Sequence, residues 1–170
     1  MSMKCLIYIV TLFSFSLCNL KVGDLAPDFK LQDQNAIYHT LKQYRGNNVV
    51  LYFYPKDFTP GCTKQACSLR DINAELLNRN TIVFGVSYDS NKKHANFSNK
   101  HNLNFSLLSD ASKSIAKLYN ANSCFFLHKR KTYVIDSNGI IAYIIDPVNI
   151  QTHNSIILSV LDSLEIKMSN

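Results

Sequence analysis

The 170-residue chain has no internal repeat and no low-complexity tract, which sets aside solenoids, propellers and disordered arrays. It has no C-x-x-C pair, no His-x-x-x-His and no second cysteine pair at metal-binding spacing, so a structural zinc site is excluded as a reading. Its N-terminal apolar stretch, Cys5 to Leu17, is 13 residues long, short of the roughly 20 that a membrane-spanning helix needs. Lysine and arginine outnumber aspartate and glutamate by 18 to 12, a net charge of +6. The basic residues cluster only briefly, at Lys92-Lys93 and Lys129-Arg130-Lys131. A nucleic-acid surface needs a longer basic stripe interleaved with aromatics. The charge therefore reads as a solvated surface with mild attraction for acidic partners, and nucleic acid is not among the expected partners.

What is present is a cored protein: 46% apolar and 18% charged residues, in a length that suits one domain of about 150 residues with a short extra segment. A domain of that size buries roughly 70% of its unfolded surface and needs no covalent staple. The extra segment is Met1 to Asn19. Lys4 supplies a positive start, the apolar stretch follows, and Ser16-Leu17-Cys18 offers small residues at the positions that flank a cut after Cys18. That is a secretory signal pattern. The expectation is a signal peptide over 1–18 and a single domain over 20–166. The mature protein would be exported, periplasmic or secreted, without stable membrane association once processed. An uncleaved cytoplasmic protein is the alternative. Leu17 is a poor residue before a lipidated cysteine, which disfavours a lipoprotein site at Cys18.

Strand and helix periods alternate along the rest. Phe29 and Leu31, a Gln32-Asp33-Gln34-Asn35 turn and Ile37 to Leu41 predict an N-terminal hairpin. Asn48 to Tyr54 is a continuous apolar, β-branched and aromatic run, a buried central strand. Ala66, Leu69, Ile72, Leu76 and Leu77 mark one face of a helix over about 62–77. Thr81 to Tyr88 is a second buried strand, and Asn91 to His101 a polar helix with Phe97 turned inward. Phe105 to Leu108 is a short strand, and Ser112 to Tyr119 a helix capped by Asp110 or Ser112. Lys131 to Ile135 and Ile140 to Ile145 flank an Asn138-Gly139 turn and form a hairpin. Asn154 to Leu164 closes as an amphipathic helix. The fold class is α/β, a mixed sheet flanked by helices.

The chemistry concentrates in residues 52–71, YFYPKDFTPGCTKQACSLRD. A buried strand leads to a loop, and the loop delivers Cys62 to a helix start. Unpaired N–H groups and the helix dipole there favour a thiolate, so more of Cys62 is ionised and nucleophilic at neutral pH. Pro60 fixes φ at the helix entry, and Gly61 permits close approach by a ligand. The Thr59 hydroxyl, three residues before the sulfur, can donate to the thiolate and to a bound oxygen. Cys67 lies five residues on. In an intact helix the two Cα atoms are about 8.6 Å apart, whereas a disulfide needs roughly 4.4–6.8 Å. If both cysteines are helical, a bond between them requires the first turn or more to unwind. Spacing alone leaves two readings open: a redox pair, or two small buried hydrophobes.

Pro55, Thr59 and Cys62, spaced P-x-x-x-T-x-x-C within that string, closely resemble the peroxiredoxin active-site signature. With Cys67 the segment looks like the peroxiredoxin Q subfamily, also called bacterioferritin comigratory protein. VGDLAPDF at Val22, LLSD at Leu107 and RKTYVIDSNG at Arg130 extend the likeness over about 21–164. The resemblance implies a thioredoxin-like fold, Cys62 as the peroxidatic thiol and Cys67 as the resolving thiol. It also implies that Pro55 and Thr59 are the family's active-site pair, with Arg130 reaching in to stabilise the thiolate and polarise the peroxide. Lys129 and Lys131 are expected to be solvated. The implied cycle passes through a sulfenic acid at Cys62 and an intramolecular Cys62–Cys67 disulfide, with thioredoxin or a similar dithiol as reductant. The substrates implied are hydrogen peroxide and small alkyl hydroperoxides, with no metal, haem or flavin, in a monomer or dimer. The loop Asn120 to Lys129 departs from the family pattern: it is short and carries Cys124, expected to be an idle thiol, and His128, expected at the surface. Two other functions stand beside this one. A thiol–disulfide oxidoreductase usually carries C-x-x-C. A copper-binding chaperone would use paired thiolates and a distant His, and would leave Thr59 and Arg130 without a role.

Overall fold

The structure is a computed structural model that describes residues 19–123 and 128–168. The expected signal segment and Cys124 lie outside the described residues. Seven strands form one mixed sheet in the order β2-β1-β5-β4-β3-β6-β7. The strands are β1 (Lys30–Gln32), β2 (Tyr38–Thr40), β3 (Asn48–Phe53), β4 (Thr81–Ser87), β5 (Ser106–Ser109), β6 (Lys131–Ile135) and β7 (Ile141–Ile145). The helices are α1 (Pro60–Asn78), α2 (Asn91–His101), α3 (Ser114–Leu118) and α4 (His153–Met168), with a 3-10 turn over Leu41–Tyr44 that the sequence reading did not anticipate.

β3 runs parallel to β4 and antiparallel to β6. Every residue of β3 is buried, because helices and loops cover both faces of the sheet at its centre. Strand alternation divides the core. Val49, Leu51 and Phe53 point to one cluster with Phe29, Leu41, Phe84, Ile115 and Tyr119. Val50, Tyr52 and Tyr54 point to the other, with Cys62, Ala66, Leu69, Phe97, Ile157 and Leu161. The second cluster lies between the sheet and helices α1, α2 and α4, and it holds the thiol of the sequence signature. Gly85 pairs in register with Tyr52. A Cβ there would stand 2.7 Å from the Tyr52 ring, so the glycine gives that ring its place.

The expected N-terminal hairpin is present as β1–β2 and the C-terminal hairpin as β6–β7. Asp110 caps α3 by accepting from Ala116 N–H at 2.8 Å. Along α1, Ala66, Leu69 and Leu76 are buried as the periodicity predicts, but Leu77 is exposed, and Gln65 and Asn73 occupy the buried face beside them. Two expectations about charge fail. Lys131 is buried: its ammonium meets Asp146 Oδ2 at 3.2 Å and lies over the Tyr133 ring. His128 is buried as well, packed edge-on against Phe53 and Tyr88. Burial lowers its pKa below the ordinary histidine value. Lys129 is exposed as expected.

Candidate active site

β3 ends at Phe53, and Tyr54 to Thr59 form a loop that enters α1. Thr59 is the extended N-cap residue and Pro60 opens the helix, as its fixed φ and missing N–H allow. Cys62 is therefore the third helical residue. The helical ladder opens with Thr63 N–H donating to Thr59 C=O at 2.9 Å, so the N–H groups of Gly61 and Cys62 precede it. The first turn contains no acidic side chain. A thiolate at Cys62 would be the anion that the positive helix end attracts.

Cys62 is 2% exposed and is a free thiol. Arg130, just before β6, directs Nη2 to its sulfur at 3.4 Å. Gly61 makes this approach feasible: a Cβ at that residue would lie 3.2 Å from Arg130 Nη2. The sequence reading assigned the open space at Gly61 to a ligand; here the guanidinium fills it.

Arg130 is itself held. Its Nη1 donates to Oε1 of Gln65, which is completely buried on α1. Gln65 Nε2 faces His153 Nδ1 at 3.4 Å, and His153 Nε2 faces Thr132 Oγ1 at 2.9 Å. Since guanidinium only donates, Gln65 must accept with its oxygen and donate with its nitrogen, so His153 accepts at Nδ1 and carries its proton on Nε2. Burial, and secondarily the charge of Arg130, lower the His153 pKa to about 4. The sequence reading missed Gln65, Thr132 and His153. Helical spacing held the signal: His153, Ile157 and Leu161 recur every four residues and are all buried.

A second polar cluster fixes the loop. Asp57 is buried; its N–H donates to Asp89 Oδ2 at 2.7 Å, and it accepts from Tyr54 Oη at 2.7 Å. Its other oxygen lies 2.8 Å from His94 Nδ1 on α2. Lys93 Nζ meets Asp89 Oδ1 at 2.6 Å. Phe58 takes φ +65° and packs edge-on against Phe97, ring centroids 5.1 Å apart. Strain at a non-glycine residue in this region is tolerated where the surroundings over-determine it. Tyr52 lies beneath the reacting segment. Its phenol has no hydrogen-bond partner among the described residues. Burial raises its pKa far above the ordinary value, reinforced by the negative charges of Asp57, Cys62 and Cys67.

The other expected residues are placed as follows. Thr59 Oγ1 donates to the Lys56 carbonyl at 3.1 Å. Pro55 is half-buried and lines, with Arg130, His128, Lys129, Pro147 and Val148, a depression of about 410 Å³ beside the site. Cys67 is a half-buried free thiol inside α1. A larger groove of about 520 Å³, between β7 and α4, shares no residue with this depression. No group of three or more His, Cys, Asp or Glu suited to a metal ion occurs among the described residues.

A buried thiol at a helix start, under a fixed guanidinium, on a strand–loop–helix unit of a mixed sheet, defines the class: thiol-dependent oxidoreductases of thioredoxin-like fold. Residues 22–144 match the AhpC/TSA family. The chain belongs to that family, whose members include the peroxiredoxins, and it is a thiol-dependent peroxidase. It is 38% identical over 147 residues to peroxiredoxin Bcp of Escherichia coli strain K12, covering 82% of this chain and 94% of that protein. It is 42% identical over 124 residues to chloroplastic peroxiredoxin Q of Oryza sativa subsp. japonica, covering 72% of this chain and 57% of the rice protein. The crystal structure of peroxidoxin BcpB from Mycobacterium tuberculosis superposes with a TM-score of 0.79 at 32% identity, over 85% of this chain and 98% of that one.

Proposed function

We propose that Cys62 is the peroxidatic thiol and Cys67 the resolving thiol of this peroxidase. The Cys62 thiolate attacks one peroxide oxygen, the O–O bond breaks, and water or an alcohol leaves after taking a proton. Cys62 is left as a sulfenic acid. Cys67 then attacks that sulfur, the S–S bond forms and the sulfenic oxygen leaves as water. An external dithiol, thioredoxin or a relative of it, reduces the disulfide. The observation that carries the assignment is the buried Cys62 sulfur with Arg130 Nη2 at 3.4 Å. Arg130 is placed to favour the thiolate and to draw charge from the breaking O–O bond. Pro55 shields the site from the depression side. Thr59 has its hydroxyl on the Lys56 carbonyl and turns it to the peroxide when substrate enters.

Cys62 and Cys67 both lie within α1. The Cα separation in an intact helix, about 8.6 Å, exceeds what a disulfide spans. Oxidation therefore unwinds the start of α1. Hydrogen peroxide and small alkyl hydroperoxides are the proposed substrates. Residues 1–18 are proposed as an export signal, so that the reductant shares the compartment of the mature chain. Intact mass of the native protein reads its mature N-terminus directly; a mass that includes residues 1–18 would remove the export reading. For the chemistry, Cys62→Ser should abolish peroxide consumption, and full turnover in that variant would end the proposal. Cys67→Ser should consume about one equivalent of peroxide and then stall as a sulfenic acid.

A further inference from the structure

Arg70 stands one turn beyond Cys67 on α1, and its Nη1 is 3.7 Å from the Cys67 sulfur. The mechanism above gives it no role. It is held from two sides: Nη1 also donates to the His101 carbonyl at the end of α2, at 2.6 Å, while Nε and Nη2 donate to Asp71 Oδ1 at 2.9 and 2.7 Å. The guanidinium is thereby fixed with one nitrogen presented to the sulfur.

The ties along α1 divide it at Ser68. From there onward the backbone is fastened to its surroundings. Asn154 of α4 donates to the Ser68 carbonyl at 3.0 Å, and Asn104 donates to the Arg70 carbonyl at 3.3 Å. Asn73 donates to the Asn104 carbonyl at 3.0 Å. Before Ser68, the side-chain ties to other elements among the described residues run from Cys62 and Gln65 to Arg130 and His153. Oxidation of Cys62 removes the charge on which the first of these depends. Unwinding that brings Cys62 to Cys67 thus has a natural stop at Ser68. Cys67 then sits at the new helix start, with unpaired N–H groups nearby and Arg70 still anchored beside it.

We infer that Arg70 is the counter-ion of Cys67 in the resolving step, and so a catalytic residue of the second half-reaction only. The inference rests on the Cys62 and Cys67 roles proposed above. Cys67 attacks as the thiolate, its sulfur forms the S–S bond, the S–O bond of the sulfenic acid breaks, and hydroxide leaves and is protonated by solvent. Peroxide is the only oxidant required. Arg70 Nη1 is the group against the Cys67 sulfur; Asp71 of α1 and the His101 carbonyl of α2 hold that guanidinium, and the buried Tyr52 phenol of β3 is near enough to both thiols to feel their charge. Arg70 is the one cation among them. Asp71 offsets part of its charge, and Tyr52 stays neutral.

The test is rapid-quench oxidation of the full chain by hydrogen peroxide at pH 6.5 and 8.5, with thiols blocked and intact mass read over time. Gain of one oxygen reports Cys62 oxidation; loss of two hydrogens reports the disulfide. In Arg70→Gln the first phase should keep its rate, and the second should slow about fivefold at pH 6.5, the size expected for one partly exposed ionic contact. The gap should narrow to under about twofold at pH 8.5, where a free thiol is already half ionised. Arg70→Lys should restore most of the rate. Equal resolution rates at both pH values, or a slowing that is the same at both, would overturn the inference, since a merely structural role has no pH dependence. A slowed first phase in Arg70→Gln would overturn it too. Failure of the unmodified chain to gain oxygen at Cys62 would instead refute the peroxidatic assignment.

Discussion

At the scale of single residues, reactivity is organised by direction as much as by proximity. Arg130 offers one nitrogen to the Cys62 sulfur and another to Gln65 Oε1, so the guanidinium is oriented at both ends. Lysine has one charged nitrogen and cannot span the two acceptors. Arg130→Lys should lower the second-order rate of Cys62 oxidation by about ten- to a hundredfold, the equivalent of one charge-assisted hydrogen bond. Stopped-flow or competition kinetics with hydrogen peroxide would measure it, and an unchanged rate would mean that point charge alone suffices. Gln65→Leu keeps the bulk and removes the acceptor. It should cost about tenfold in the same rate and leave His153 Nδ1 unpaired in the core. Gly61→Ala should act through the same guanidinium, because the added methyl would lie 3.2 Å from Nη2. Here the sequence was informative only in part. Cys62, Pro55 and Thr59 were legible because they lie in one compact, specific signature, and Arg130, 68 positions from Cys62, because a second stretch of the chain, RKTYVIDSNG, also resembles the family. Gln65, Thr132 and His153 were not, because their contacts join residues 21 to 88 positions apart. The burial of Lys131 was hidden as well, since its partner Asp146 lies on the strand-end across the hairpin.

At the scale of elements, the loop and the helix that flank Cys62 have opposite duties. The loop must stay put. Asp57, Tyr54, His94 and Asp89 tie it to β4 and α2, and Phe58 is wedged on Phe97. For the proposed Cys62–Cys67 disulfide, the start of α1 must come apart. Hydrogen exchange should therefore show a graded response when the disulfide forms. Amides of residues 63–71, whose acceptor carbonyls lie in the segment that unwinds, should lose protection, while those of 72–78 and of the 54–59 loop keep it. Loss of protection along all of α1 would place the hinge elsewhere than Ser68. Most of the elements could be read from hydrophobic period, and the two hairpins from their turn residues. The division within α1 could not, since its periodicity is continuous and only tertiary contacts from α2, α4 and Asn104 break it. Likewise, His94 shares a helical face with Phe97, which marks it as buried but does not reveal that its partner is a loop carboxylate.

At the scale of the whole molecule, the buried histidine that orients the site also sets a term in its stability. His153 is fully buried and neutral, with its pKa lowered from the ordinary histidine value of 6.5 to about 4, chiefly by desolvation and then by Arg130. Between those values the unfolded chain binds a proton there and the native chain does not. Acidification through that window thus favours unfolding, and the contribution is level above pH 6.5 and again below about 4. The slope it adds is at most about 1.4 kcal/mol per pH unit, and the total is on the order of 3 kcal/mol. His128, also lowered by burial, acts in the same sense. Urea unfolding at pH 7.5, 6.0 and 5.0 should show stability falling with pH, and His153→Gln, which removes the proton acceptor, should flatten that fall whatever its effect at pH 7.5. A variant with the same pH slope as the unaltered chain would show that His153 is accessible to protons in the native state. With its pKa near 4, His153 keeps its lone pair on Nδ1 throughout the neutral range, so Gln65 keeps a place to donate and Arg130 keeps its orientation. The pH profile of peroxide reactivity should then coincide in the unaltered chain and in Thr132→Val, where the histidine loses its distal partner; profiles that diverge in the neutral range would mean that His153 titrates there in the native state.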